Sequence, residues 1–235
     1  MLGIIGGMGP MASSLFYNML IEKTPAESDQ DHMDLIMISH ASMPDRTKAI
    51  LSGDEKRISE IKDLLEKDIR SLIGAGCEHI AVTCNTAHYF IDLLGPEKKA
   101  VIHMIDETAG EAGRRSVSGR AALLATDGTV RTGIYQDSMK KHGIHVLTPS
   151  GECQKNIMSV IYDHVKSGRP VPARLWQSIH DEISAMDCDC AVLGCTELSV
   201  AARDLSLDIS DRGFYIDPLD ILAKRCVEIY KEKTR

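Results

Sequence analysis

Aromatic residues are scarce: they make up 4% of the 235 residues, with one tryptophan and three phenylalanines. A core in this chain must therefore be filled by Leu, Ile, Val, Ala and Met. Long apolar runs are also missing, and none approaches the ~20 residues that a membrane-crossing helix needs. The opening Met1-Leu2-Gly3-Ile4-Ile5-Gly6 is apolar but has neither a basic flank nor a small-residue cleavage site, so it does not read as a secretory signal. There is no excess of positive charge: 34 acidic residues against 27 basic ones give −7 at pH 7. That balance argues against nucleic acid or an anionic membrane as partner, though not against a small anionic substrate in a local pocket. The seven cysteines are odd in number and spread over a long chain, which does not suit a disulfide framework; the expectation is a cytoplasmic protein with reduced thiols. A dinucleotide fingerprint is lacking. Gly6-Gly7-Met8-Gly9-Pro10 departs from G-x-G-x-x-G, and Asp34 precedes the second strand instead of ending it. No lysine sits in a recognisable pyridoxal phosphate context, so no cofactor is expected.

Hydrophobic residues are 43% and charged residues 26%, average for globular chains. The length suits one large α/β domain or two small ones, at about 100–200 residues per domain. Apolar runs at Leu2–Ile5, Asp34–Ser39, Glu78–Thr83 and Ala100–Met104 read as strands, with helical patterns between them at Ser13–Glu22, Lys56–Ile73 and Ala87–Leu94. The second half repeats the order, with strands at Ala121–Ala125, His145–Leu147, Cys190–Leu193 and Phe214–Ile216, a helix at Leu175–Met186 and a closing helix at Leu219–Tyr230. Cys77–Thr86 aligns with Cys188–Glu197, and Val101–Asp106 resembles Gly213–Asp217, both at an offset of about 111 residues counted along the sequence. Strands alternating with helices imply parallel sheets covered on both faces. The expectation is an α/β fold of two pseudo-symmetric subdomains, with ligands at the C-terminal ends of the strands and the active site in a cleft between the halves.

Cys84 and Cys195 stand at matching positions, each directly after an apolar strand and before a helix start. Unpaired backbone amides there are expected to lower a thiol's pKa and to hold a carboxylate. Asn85, Thr86 and Thr196 add side-chain donors. Two thiols with two anion cradles suit racemisation, in which one group removes the α-proton and another returns a proton to the opposite face. Cys77, Cys153, Cys190 and Cys226 read as small apolar fillers. Cys188-x-Cys190-x4-Cys195 and Cys84-x3-His88 invite a metal reading, but neither has a paired C-x2-C spacing and Cys190 falls within a strand, so no metal is expected. A single nucleophile, Cys84 with His88 as its base, stays open; it needs Cys84 to be helical already.

Gly6–Ala12 (GGMGPMA), Ser42–Thr47 (SMPDRT), Cys84–His88 (CNTAH) and Leu193–Leu198 (LGCTEL), in this order over nearly the whole chain, resemble the aspartate/glutamate racemase family, and the aspartate racemases most closely. Gly7-Met8 stands where glutamate racemases of the cell-wall pathway have Asp-Ser. The resemblance implies two parallel four-stranded sheets flanked by helices. It divides the chain into a first subdomain of residues 1–104, joined by 217–235, and a second of 105–216. It further implies a homodimer, a cofactor-independent reaction and a small amino-acid substrate, most naturally dicarboxylic. Cys84 would act on the D-enantiomer and Cys195 on the L-enantiomer. Asn85, Thr86 and Thr196 would hold the α-carboxylate. Met8, Thr126 and Lys166 would line the substrate, with Glu197 and His88 in support. Arg46 matches the family arginine, and its fork suits a side-chain carboxylate. Asp127 places an acid where many aspartate racemases have none. It would repel a dicarboxylic acid or attract a cationic group, so the order of candidates is aspartate, then glutamate, then a broader range.

Overall fold

The continuous apolar runs become parallel strands under helices; Leu2–Gly6 and Cys190–Leu193 are buried throughout, while Leu35–Ser39 stays partly exposed. The computed structural model describes residues 1–234, without the side chains of Lys233 and Thr234. Its first elements are β1 (Leu2–Gly6), α1 (Pro10–Lys23), β2 (Leu35–Ser39), α2 (Arg46–Ser52), α3 (Glu55–Gly74), β3 (His79–Val82), α4 (Ala87–Asp92) and β4 (Val101–Ile102). There follow α5 (Met104–Arg115), β5 (Arg120–Leu124), α6 (Asp127–Thr132), α7 (Ile134–Lys140), β6 (His145–Leu147), α8 (Gly151–Ser159), a π-helical segment Val160–Val165, and α9 (Ala173–Ala185). The last are β7 (Cys190–Leu193), α10 (Thr196–Asp204), β8 (Tyr215–Ile216) and α11 (Pro218–Thr234). Among the described residues no helix is long and apolar enough to cross a membrane.

The chain forms two compact units: Met1–Met104 with the chain from Leu219 onward, and Ile105–Pro218. Each contains one four-stranded sheet, ordered β2-β1-β3-β4 in the first and β6-β5-β7-β8 in the second. All pairings are parallel. In both sheets the first strand of the unit lies inside, with the next two strands on either side of it. That reversal makes a switch point at the C-terminal ends of β1 and β3, and of β5 and β7, where open α/β sheets bind ligands.

In the first unit α3 covers the sheet. Asp54 caps it by accepting from the backbone N–H groups of Lys56 and Arg57. Its buried stripe runs Ile61, Leu65, Asp68, Ile69, Leu72, and each buried Leu or Ile contributes about 1.5–3 kcal/mol. An acid on that stripe needs a partner; Asp68 meets the His40 ring at 2.6 Å, tying the end of β2 to α3. The helix α11 returns to this unit through a Lys23–Asp220 ion pair at 2.6 Å.

The strand repeat needs one correction. Ile80 pairs with Val101, and its repeat partner Ala191 pairs with Tyr215. The offset is therefore 191 − 80 = 111 at the third strand but 215 − 101 = 114 at the fourth. Asp106 and Asp217 are not equivalent: Asp106 lies within α5, and the counterpart of Asp217 is His103. Thr126 caps helix α6, its side chain accepting from the Thr129 backbone N–H.

Candidate functional site

Register brings the turn residues of each unit together. In the first unit Ile5 lies beside Val82, so the Gly6–Pro10 turn neighbours Thr83 and Cys84. The Gly7 N–H donates to Ser13 Oγ at 2.9 Å, and Ser13 Oγ lies 3.0 Å from Thr83 Oγ1. Hydroxyls thus stitch the turn to the end of β3. Gly7 has φ +85°, a left-handed conformation that favours glycine. Met8, Cys84, Asn85, Thr86 and His88 are all buried.

Cys84 lies ahead of its helix: Thr86 is the N-cap of α4. His88 turns back, its Nδ1 2.9 Å from the Cys84 carbonyl oxygen, while Nε2 accepts the Met104 backbone N–H at 3.2 Å. Burial, and then the neighbouring His103, hold its pKa down at about 3, so the ring is neutral and Nδ1 is the donor. Both ring nitrogens serve the backbone. The single-nucleophile reading thereby loses its base, and His88 fixes the strand-to-helix turn instead.

Arg46 opens α2 behind an Asp45 cap. Its Nη1 donates to the carbonyls of Met43 at 3.1 Å and Pro44 at 2.9 Å, and its Nη2 to that of Met8 at 3.1 Å. The guanidinium thus pins the Gly-rich turn to the Ser42–Pro44 loop, which leaves its fork fixed in place beside Met8.

In the second unit Leu124 lies beside Leu193, so Thr126 neighbours the Gly194–Cys195 turn. Thr126 Oγ1 accepts from the Thr129 N–H at 3.2 Å. Asp127 accepts from Gln154 Nε2 at 2.8 Å, and the same amide donates to the Ala125 carbonyl at 2.9 Å. Cys195 is the N-cap residue of α10, with Thr196 its first helical residue. The Cys195 Sγ donates to Glu197 Oε2 at 2.9 Å. The other oxygen of Glu197, which is 3% exposed, takes a short ion pair from Lys166 Nζ. Lys166 follows the π-helical segment, whose register is set by its own N–H donating to the Ile161 carbonyl at 3.0 Å.

The helix start was expected to lower the pKa of this thiol. The opposite holds at Cys195, whose pKa is pushed well above its ordinary value by burial first and the Glu197 charge second, with Lys166 opposing. Removal of the sulfur from water outweighs the amide dipoles. Sequence reading also missed Tyr135 on α7, whose pKa is pushed well above its ordinary value by burial first, with the Asp217 and Cys195 charges adding to it. Nothing local in the sequence links positions 135 and 195.

Among the described residues no group of three or more His, Cys, Asp or Glu side chains is placed to hold a metal ion, and all seven cysteines are free. A cavity of about 180 Å³ in the first unit is lined by Leu2, Asp34, His79 and Tyr230; it opens at the strands' N-terminal ends, away from Cys84, and contains none of the candidate residues.

Each unit by itself is thus a parallel α/β sheet with a buried cysteine at its switch point, the pattern of an α/β protein built from two like units. A family model described as Asp/Glu/Hydantoin racemase matches residues 5–226, and the chain belongs to that family. It is 27% identical over 244 residues to the broad specificity amino-acid racemase RacX of Bacillus subtilis, with 98% of each chain covered. The Picrophilus torridus aspartate racemase structure is similar at a TM-score of 0.78 and 28% identity, covering 98% of this chain and 94% of that one. A glutamate racemase of Francisella tularensis, solved with D-glutamate, has a TM-score of 0.68 at 18% identity, covering 99% and 81%; at that identity the likeness concerns the fold alone.

Proposed function

We propose that this protein is a cofactor-independent amino-acid racemase with Cys84 and Cys195 as its two bases and aspartate as its first substrate. The observation that carries the reading is positional. Two sheets of the same strand order each present one buried cysteine, at the same switch point, directly after the same strand. One sulfur, as thiolate, removes the α-proton, and the other, as thiol, donates a proton to the opposite face. Each turnover exchanges the protonation of the pair. Cys84 takes the proton from the D-enantiomer and Cys195 from the L-enantiomer. The α-carboxylate, where charge builds as the α-proton leaves, is held by Asn85, Thr86 and Thr196. Met8 and Thr126 line the substrate, and Lys166 reaches it through its place beside Glu197.

The test is incubation with L-aspartate in deuterated water, following both enantiomers and the α-position. The expected product is D-aspartate carrying α-deuterium. No exchange with aspartate, glutamate or smaller amino acids sinks the reading. Broad specificity is the second reading, supported by the RacX relative and by the carboxylate at Asp127.

Arg46 is proposed to receive the side-chain carboxylate, its fork oriented in advance by three carbonyls. Arg46→Ala is then expected to lower kcat/KM for aspartate by roughly 100-fold, the loss of about 2–3 kcal/mol for one charge-assisted contact, and to affect alanine much less. Equal losses for both substrates would make Arg46 a clamp for the Gly-rich turn and nothing more.

A further inference from the structure

The two cysteines occupy matching positions, but their neighbours differ in charge. Along the repeat, Thr86 of the first unit corresponds to Glu197 of the second, two residues beyond each cysteine. At this position, therefore, the second unit sets a carboxylate against its sulfur where the first has a hydroxyl. That carboxylate is nearly inaccessible to water, and its two oxygens are divided between the Cys195 Sγ–H and the Lys166 ammonium. A carboxylate is acceptor-only, so the 2.9 Å contact exists only while the sulfur carries its proton. Loss of that proton would place thiolate against carboxylate within the same buried space. Lys166 opposes this repulsion, but burial and the Glu197 charge outweigh it. Tyr135, from α7, is a neutral phenol whose hydroxyl is shared with Thr108. Asp217, after β8, accepts from Ser199 Oγ at 2.7 Å, and its charge bears on Tyr135. Lys166 is a cation that acts on both Cys195 and Glu197, and it pairs with Glu197.

We propose that Glu197, held by Lys166, keeps the proton of the ligand-free protein on the Cys195 sulfur, so that Cys195 enters the first turnover as the acid of the pair. The inference rests on the two-base reading for its consequence, though not for its test. In that turnover Cys195 gives its proton to the substrate carbon while the opposite thiolate takes the α-proton. Afterwards Cys195 takes a proton from water and the opposite thiol releases one to water, which restores the starting state; repulsion between the new thiolate and Glu197 favours this return. Because racemisation has an equilibrium constant of one, this bias cannot favour either direction in kcat/KM. It shows instead in the chemistry of the sulfur. Glu197 and Lys166 are accordingly positioning residues.

The experiment measures iodoacetamide alkylation of the full-length protein across the neutral to alkaline range, with each cysteine located by peptide mass mapping. Alkylation joins the thiolate sulfur to carbon and releases iodide, so its rate follows the thiolate fraction. In the wild-type protein, Cys195 is expected to titrate above the ordinary thiol value of about 8.5. Glu197→Gln is expected to speed its alkylation at neutral pH by roughly tenfold or more, the equivalent of one pKa unit. Lys166→Met is expected to slow it. A wild-type Cys195 titrating at or below the ordinary value overturns the proposal, as does slower or unchanged alkylation in Glu197→Gln, since a slower rate would mark Glu197 as the base that deprotonates Cys195. The wild-type titration stands even if a variant fails to fold. No substrate is involved, so a protein that behaves as expected here yet racemises nothing overturns the proposed function and leaves intact the assignment of the resting proton to Cys195.

Discussion

Cys84→Ser and Cys195→Ser are each expected to abolish racemisation, with kcat/KM for aspartate falling by at least about a thousandfold, while Cys77→Ser leaves the rate unchanged. A positioned acid or base contributes when its pKa lies near the working pH. A thiol at about 8.5 can carry either the proton or the charge; a serine hydroxyl in the same buried place can hold only the proton. Both cysteines are 6% exposed, and serine is close to them in size, so the fold is expected to survive. The discriminating measurement is solvent exchange in the single variants. Each retains one thiol, which can remove an α-proton and return a deuteron to the same face. Each variant should therefore exchange the α-hydrogen of one enantiomer without inverting it, and the two variants should choose opposite enantiomers. Exchange of the same enantiomer by both, or near wild-type turnover in either, would mean that the two thiols do not act on opposite faces. Cys77 is the fitting control because it lies buried before β3, at the strand end away from the candidate residues, where its pKa is raised by burial.

The strands and the two cysteines were legible in the sequence because both depend on local pattern. A parallel strand buried on both faces shows as an unbroken apolar run, and Cys190–Leu193 was delimited to the residue by Asp189 on one side and Gly194 on the other. The helices α6, α7 and α8 were not legible. They span six, seven and nine residues, and they are set by caps such as Thr126 and Ser150 whose side chains resemble ordinary turn residues. The partners of the site residues were harder still. Arg46 was readable as a fixed cation, but its acceptors are backbone carbonyls, which every residue has. Lys166 reads as a solvated lysine until the fold brings it to Glu197, and the buried Asp68 looks like a surface acid until His40 is placed against it. The three-residue slip at the fourth strand has the same origin: Ile-Asp occurs at both 105–106 and 216–217, and a likeness of residues outweighed a difference in connection length that only pairing reveals.

Gly7→Ala is expected to be the most damaging substitution outside the thiols, and the reason joins the backbone to the site. At φ +85° an added Cβ would stand 2.5 Å from the His40 nitrogen and 2.7 Å from that of Ala41. These are backbone atoms, so no side-chain rotation relieves the contact. The left-handed conformation alone costs about 1–2 kcal/mol for a residue with a Cβ, and displacing the backbone adds roughly as much again. The His40 N–H donates to the Gly6 carbonyl at 3.0 Å, so the push also loosens the end of the β1–β2 pairing. We expect a stability loss of about 3 kcal/mol and a fall in Tm of roughly 5–10 °C, read by thermal unfolding. The same displacement shifts Met8, whose carbonyl anchors Arg46, away from the turn that faces Cys84. A misplacement of about 1 Å at reacting groups costs on the order of a hundredfold, so kcat/KM should fall by that factor even where the protein remains folded. Gly53→Ala supplies the comparison. Its φ of +63° is also left-handed, but nothing lies within 4 Å of the added carbon. It should cost only the conformational share, about 1 kcal/mol, and leave turnover unchanged. Equal effects of the two substitutions would show that conformation alone governs both, and that the close approach of His40 to Gly7 has no part in holding the Met8 turn.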